Sequence, residues 1–140
     1  KWLTQIEASE RDLPGYWQVR GWSDAAVIKT MSRIDVPAQF VQVSPGETQM
    51  GGVAFAGERS VKGVQVSTDG GVSWREAVVE KPLSRFTWVL WMASWRPLSS
   101  GNHSLLVRAF DGDGTVQVAE VEDSLPDGAS GYHRVIVRVV

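Results

Sequence analysis

The stretch that decides the fold is residues 61–109, VKGVQVSTDGGVSWREAVVEKPLSRFTWVLWMASWRPLSSGNHSLLVRA. Apolar and polar residues alternate in several short runs, which is the pattern of strands that bury one face. An Asp69-Gly70-Gly71 turn separates two of these runs. Glycine tolerates the positive φ of a tight hairpin loop, and the Asp side chain can close the turn. The stretch therefore predicts antiparallel β-structure.

The same pattern extends over the chain from residue 38 onward. Candidate strands cover 39–43, 48–56, 62–67, 73–79, 87–92, 104–110, 115–118 and 133–139. On the last of these, Val135, Val137 and Val139 share one face, so Arg134 and Arg138 must lie on the other. About seven short strands at this spacing predict an all-β fold, an immunoglobulin-like (E-set) β-sandwich.

The first 37 residues differ from the rest. Only residues 2–8 read as a short strand, and an irregular stretch follows around Pro14-Gly15 and Gly21. This piece cannot build a core alone, so we expect it to lean on another part of the protein. The sequence thus predicts two parts, 1–37 and a sandwich over 38–140.

Composition excludes several classes of function. The 140 residues carry a net charge of -2 and no cysteine. A nucleic-acid partner is therefore not indicated, and disulfides and thiolate metal sites are excluded within the chain. No apolar run approaches the roughly 18 residues of a membrane span, so we expect no membrane contact by this segment. The start also lacks the apolar region of a signal peptide.

Motifs for catalysis and metal binding are weak. The chain has no nucleophile elbow, no phosphate-binding loop and no matched Ser/His/Asp spacing. Asp111-Gly112-Asp113-Gly114 could begin a calcium loop, but the positions that follow read as a strand, and a plain hairpin turn is the better interpretation. We therefore predict no catalytic set and no metal site.

Tryptophan is unusually abundant, with seven residues in 140. We expect at least half of the indoles to be buried, since they supply large apolar area to a small core. Trp88, Trp91 and Trp95 are candidates for the core or for an interface, and alternation does not decide between these. The alternative is an exposed aromatic platform, which would make the chain a carbohydrate- or protein-binding sandwich module.

The order of three motifs resembles a known family. VxVSxDGGxSW, then WxxWxxxW, then LxVRAxD are similar to the C-terminal dimerisation domain of sulfite-oxidase-type, molybdopterin-dependent oxidoreductases. Upstream, PGYWQxRGW and IKTMSRIDVP resemble the link into that domain in bacterial members. The resemblance implies that residues 1–37 are the end of the molybdopterin-binding catalytic domain plus a linker, and that 38–140 form the dimerisation domain.

The resemblance also implies function. The parent protein would bind Mo-molybdopterin and transfer oxygen atoms, whereas this fragment would be non-catalytic and hold no cofactor, because it lacks the cysteine ligand. Its partners would be the preceding catalytic domain and a second copy. Lys1 matches a cofactor-binding lysine, and Arg134, in Tyr132-His133-Arg134-Val135, matches an arginine that binds the substrate anion. The resemblance favours a periplasmic, extracytoplasmic or membrane-tethered parent over a cytoplasmic one.

Overall fold

Two β-sheets packed face to face make up the molecule, as described for residues 2–140 by a computed structural model. The strands are β1 (Met31–Val36), β2 (Gln42–Val43), β3 (Thr48–Phe55), β4 (Val61–Ser67), β5 (Arg75–Glu76), β6 (Val78–Val79), β7 (Val89–Trp95), β8 (Gly101–Asp111) and β9 (His133–Val139). One sheet has the order β1-β3-β7-β6 and the other β2-β9-β8-β4-β5. The prediction of an immunoglobulin-like sandwich is confirmed.

Helical structure is confined to two 3-10 turns, Gln18–Arg20 and Gly57–Arg59, within the described residues. No helical element of residues 2–140 has the length and the apolar character needed to cross a bilayer.

The core lies between the sheets and is filled by alternate residues of each strand. Its centre is Trp91, which is almost fully buried and donates its indole N–H to the carbonyl of Val53 at 3.2 Å. The other buried members are Ile34, Met50, Ala54, Val64, Val66, Val89, Trp95, Leu105, Val107, Ala109, Val135, Val137 and Val139.

The last strand folds as the sequence predicts. β9 spans His133–Val139, and Val135, Val137 and Val139 are buried while Arg134 and Arg138 are exposed. The Asp69-Gly70-Gly71 turn also forms as expected, with φ of +76° and +99° at the two glycines. Asp69 accepts hydrogen bonds from Ser73 and from Ser67, and these bonds hold the pKa of its carboxyl well below the usual range.

Strand β1 is a strand that the pattern did not predict. It pairs with β3, so the sandwich begins before residue 38. Its inward residues are Ile34 and the polar Ser32, whose hydroxyl donates to Oε1 of Gln117 at 2.6 Å. Because one inward position is polar, the apolar alternation that marks other strands is missing here.

Three predicted strands differ from the structure. Residues 2–8 form no strand, and residues 115–118 contribute only a single bridge between Val116 and Phe110. Residues 73–79 split into β5 and β6, which lie in different sheets. At the break, the N–H of Ala77 donates to the carbonyl of Val64 at 2.9 Å, so the chain leaves one sheet just before it joins the other.

The prediction that at least half of the tryptophans are buried was wrong. Only Trp91 and Trp95 are buried, Trp74 is half-buried, and the rest are exposed. Three of the exposed indoles precede β1, where no strand packs against the chain. The fourth, Trp88, adjoins β7 on the side opposite to the core.

Candidate functional site

The outer face of the four-stranded sheet is apolar where an ordinary sandwich is polar. In β7 the core takes Val89, Trp91 and Trp95, and the intervening Leu90 and Met92 point outward. Their exposed fractions are 60% and 49%. A strand of an antiparallel sheet usually presents polar residues on its solvent side. These side chains therefore indicate a surface that something covers.

The strand register extends this patch across the sheet. Val53 lies opposite Leu90, Val78 lies opposite Met92, and Met31 lies opposite Phe55. Trp88, 60% exposed, adjoins the start of β7. We call this surface the apolar face, and it comprises Met31, Val53, Phe55, Val78, Trp88, Leu90 and Met92.

Polar groups bound the apolar face at two places. On the β1 side, Arg33 and Asp35 form an ion pair of 2.7 Å. At the far end of β3 and β7, the amide of Gln49 donates to the hydroxyl of Ser94 at 3.1 Å. A centre of exposed apolar residues with a polar rim is the anatomy of a protein–protein interface.

A hollow of about 370 Å³ opens at one end of the apolar face. It is lined by Met31, Phe55, Phe86, Thr87 and Trp88, so its walls are mainly aromatic and thioether groups. Phe86 and Thr87 belong to the loop between β6 and β7, which rises beside the sheet.

The outer face of the five-stranded sheet is more polar by contrast, and on β9 its one apolar residue, Ile136, is half-buried. Arg134 and Arg138 are exposed there, and neither guanidinium has a carboxylate within 4.0 Å in the part of the chain described. Arg108 is fixed on the same face: it donates twice to Oε1 of Gln65, at 2.9 and 2.6 Å, and lies 4.1 Å from the Trp74 ring centroid.

His133 ties the two sheets together beside Arg134. Its Nδ1 accepts the backbone N–H of Ile34 at 3.1 Å, so the imidazole joins β9 to β1. Burial, and secondarily the charge of Arg33, lower the pKa of His133, while Asp35 opposes this shift. The imidazole is therefore held neutral, as an acceptor at Nδ1 must be.

Asp111 closes a turn instead of beginning a calcium loop. Its carboxylate accepts the N–H of Thr115 at 2.9 Å and the Nε–H of Arg59 at 3.0 Å. Burial alone would raise the pKa of Asp111, but these bonds outweigh burial and leave the pKa lowered. Within residues 2–140, no three His, Cys, Asp or Glu side chains gather as metal ligands would.

The segment before β1 is anchored only in its second half. The ammonium of Lys29 contacts Glu122 at 3.5 Å, Asp127 at 3.4 Å and the carbonyl of Gly128 at 2.6 Å. Arg59 donates to the carbonyl of Ile28 at 2.8 Å. Residues 2–17 are exposed throughout, including several large apolar side chains.

The structure separates the residues that the sequence singled out. Trp91 and Trp95 belong to the core, Trp88 lies on the apolar face, and Arg134 lies on the opposite outer face. Lys1 lies outside the described residues. Sequence reasoning missed Leu90 and Met92. A signal was present, because β7 has apolar residues at both odd and even positions, a pattern typical of a strand that is covered on both faces.

The exposed indoles do not form a sugar platform. Trp88 is the exposed tryptophan of the sandwich, and Trp17 and Trp22 meet edge to face at 77° instead of lying in one plane. A row of coplanar rings, which stacking on a polysaccharide requires, is therefore absent from residues 2–140.

Comparison with known proteins gives one family and several relatives. The family model of the Mo-co oxidoreductase dimerisation domain matches residues 25–140. Mitochondrial sulfite oxidase of Rattus norvegicus is 28% identical over 166 residues, covering 100% of this chain and 30% of the relative. Its Homo sapiens counterpart is also 28% identical, covering 99% and 30%. The chain thus spans about 30% of the length of these relatives.

Solved structures agree on the fold. The sulfane dehydrogenase SoxCD of Paracoccus pantotrophus matches with a TM-score of 0.65 at 22% identity, over 79% of this chain and 30% of that one. The fibronectin(III)-like modules of CbhA from Clostridium thermocellum match with a TM-score of 0.53 at 19% identity, over 81% and 47%.

Proposed function

Because this chain belongs to the family of Mo-co oxidoreductase dimerisation domains, we propose that it joins two copies of a molybdopterin-dependent oxidoreductase through its apolar face. The observation that carries the proposal is the outward row of Leu90, Met92 and their neighbours. In the two-fold dimer the same patch of each copy meets itself, so an apolar face covers an apolar face.

The chemistry belongs to another part of the protein. A cysteine thiolate is the expected protein ligand of molybdenum in this family, and this chain has no cysteine and, over residues 2–140, no cluster of other ligands. The residues present therefore do not fit the metal centre. Our proposal is that a preceding catalytic domain binds Mo-molybdopterin and transfers oxygen atoms, with sulfite as the first substrate to test.

The segment before the sandwich is proposed to contact that catalytic domain. Its exposed apolar residues include Trp2, Leu3, Ile6 and Leu13, which a neighbouring domain would cover. A linker that ends before β1 is supported by the family match from residue 25 and by the start of β1 at Met31. Limited proteolysis of the 140-residue chain should cut between residues 9 and 21 before it cuts the sandwich, and uniform resistance would contradict the proposal.

Arg134 is proposed to bind the substrate anion of the catalytic domain. Its support is the exposed guanidinium without a carboxylate partner, since two parallel N–H groups suit an oxyanion. In the full-length protein, Arg134→Gln should raise KM for sulfite more than it lowers kcat. Arg138→Gln, on the same strand and the same face, is the matched control and should leave KM unchanged. Equal effects of the two substitutions would remove this role.

The dimer proposal gives a measurable interaction energy. Full burial of a leucine side chain is worth about 1.5–3 kcal/mol. Leu90 is 60% exposed, so covering it recovers about 1–2 kcal/mol per copy, or about 2–4 kcal/mol per two-fold dimer. Since about 1.4 kcal/mol changes a dissociation constant tenfold, this energy corresponds to a change of about 30- to 700-fold in the dimer Kd.

Sedimentation of the 140-residue chain tests the proposal. Leu90→Arg should weaken the dimer by at least about 30-fold, because it also places a charge in the interface. Leu98→Arg is the control, since Leu98 is 99% exposed in the loop after β7 and lies outside the apolar face. A chain that stays monomeric at about 100 μM, or a dimer indifferent to Leu90→Arg, would overturn the proposal.

A further inference from the structure

The loop between β6 and β7 holds a leucine that is almost fully in solvent. Leu83 is 96% exposed, and it lies between the short edge strand β6 and the start of β7. Single exposed leucines are common on proteins and need no explanation. Two further features bear on the role of this one: the residues after it form a hydrogen-bonded turn, and the same loop lines an apolar hollow.

Reciprocal hydrogen bonds fix the loop. The hydroxyl of Thr87 donates to the carbonyl of Ser84 at 2.8 Å and accepts the N–H of Ser84 at 3.2 Å. The N–H of Phe86 donates to the hydroxyl of Ser84 at 3.2 Å. Leu83 directly precedes this turn, so the backbone that follows it is already hydrogen-bonded in the free chain. This part of the loop therefore has less backbone entropy to lose on binding than an unbonded loop would have.

The hollow at the end of the apolar face lies beside the same turn. Phe86, Thr87 and Trp88 follow Leu83 by three to five residues and line the hollow together with Met31 and Phe55 of the sheet. Its lining contains no charged side chain, although the Arg85 guanidinium lies 4.6 Å from the centroid of the Phe86 ring. One loop thus carries a fully exposed leucine and, within five residues of it, part of the lining of an apolar hollow.

We propose that Leu83 of each copy inserts into the hollow of the other copy and anchors the dimer. This inference rests on the proposed function, because it assigns the anchor of the same interface. In a two-fold interface, contact of one residue with a second implies the reverse contact too. A projection beside a hollow therefore complements itself when the axis passes between them. Two insertions then form together, and each takes out of water an apolar side chain that is 96% exposed in the single chain.

The first test compares two leucines of equal exposure. Leu83→Ala should weaken the dimer at least about tenfold by sedimentation equilibrium, since two copies of the contact are lost together. Leu98→Ala removes the same atoms from a leucine that is 99% exposed at the other end of β7, and it should leave the dimer Kd unchanged. An unchanged Kd for Leu83→Ala, in a chain that Leu90→Arg does make monomeric, would overturn the anchor and leave the proposed function standing.

The second test uses the absence of cysteine from the chain. A Leu83→Cys chain mixed with a Thr87→Cys chain should give cross-linked heterodimers under mild oxidation, because the two positions meet across the interface. A Leu98→Cys chain mixed with the same Thr87→Cys chain should not. Cross-links in neither mixture, with the dimer intact, would overturn the anchor. Monomers in both mixtures before oxidation would overturn the proposed function as well.

Discussion

Replacing Gly52 by alanine should break the contact between β1 and β3. A Cβ atom at Gly52 would lie 1.9 Å from the carbonyl oxygen of Arg33 and 3.0 Å from Cζ2 of Trp91. The first of these is a backbone atom, which cannot turn aside as a side-chain tip does. β1 must therefore move away from β3 by more than about 1 Å, and the Trp91 ring must in addition shift by a few tenths of an ångström in the core.

Both responses are costly. Overpacking a core costs about 1–3 kcal/mol, and each ladder hydrogen bond that breaks when β1 shifts adds about 1 kcal/mol. We therefore expect Gly52→Ala to lower the free energy of unfolding by at least about 3 kcal/mol and Tm by about 10 °C or more. Urea unfolding followed by tryptophan emission measures this, because Trp91 is buried in the native state.

The neighbouring glycine supplies the control. Gly51 lies in the same strand, and a Cβ there would meet only the carbonyl oxygen of Trp91, at 3.3 Å. Gly51→Ala should therefore change the free energy of unfolding by no more than about 1 kcal/mol. If Gly52→Ala were as mild as Gly51→Ala, the close approach of β1 to β3 that defines this edge of the sandwich would be wrong.

Two further predictions concern the contacts that hold β1 and the segment before it. The pKa of His133 is lowered from its ordinary value of 6.5, so its bond to Ile34 should contribute fully above about pH 6.5 and be lost as pH falls through the lowered pKa. Unfolding free energy measured from pH 7.5 to 5 should then decline less in His133→Gln, and an identical pH slope would contradict the link. Arg59→Met leaves the buried carboxylate of Asp111 short of a donor and should lower stability by about 2 kcal/mol in urea unfolding, whereas a neutral effect would show that Thr115 suffices.

The sequence predicts those strands whose inward row is purely apolar. β9 carries valine at every second position, with Arg134, Ile136 and Arg138 between and beside these valines, so both its bounds and its buried face could be read directly. β1 could not be read, because its inward Ser32 depends on Gln117, which lies 85 residues further along the chain. Around Gln117 the sequence predicts a strand that the structure does not form. The apolar and polar residues alternate there, but the side-chain amide of Gln117 is buried, where it accepts from the Ser32 hydroxyl and donates to the carbonyl of Gly131.

The candidate site could be predicted only in part, for a related reason. Alternation places Trp88 on the opposite face of β7 from Trp91 and Trp95. Both faces of β7 carry apolar residues, so alternation does not tell which face packs into the core. Only the pairing of β7 with β3 and β6 decides this. The hollow is lined by Met31 and Phe86 together, and no local sequence pattern joins these two residues.

The contrast between the two outer faces argues that the two sides of the sandwich meet different surroundings. β7 and β9 occupy interior positions in their sheets and both are apolar toward the core. Outward, β9 carries two exposed guanidinium groups on either side of the half-buried Ile136, whereas β7 carries the exposed Leu90 and Met92. Folding alone gives no reason for that difference, since either strand would bury its inner face equally well with a polar outer one. The proposed two-fold interface would supply a reason from outside the fold, because it covers each apolar face with the apolar face of a second copy.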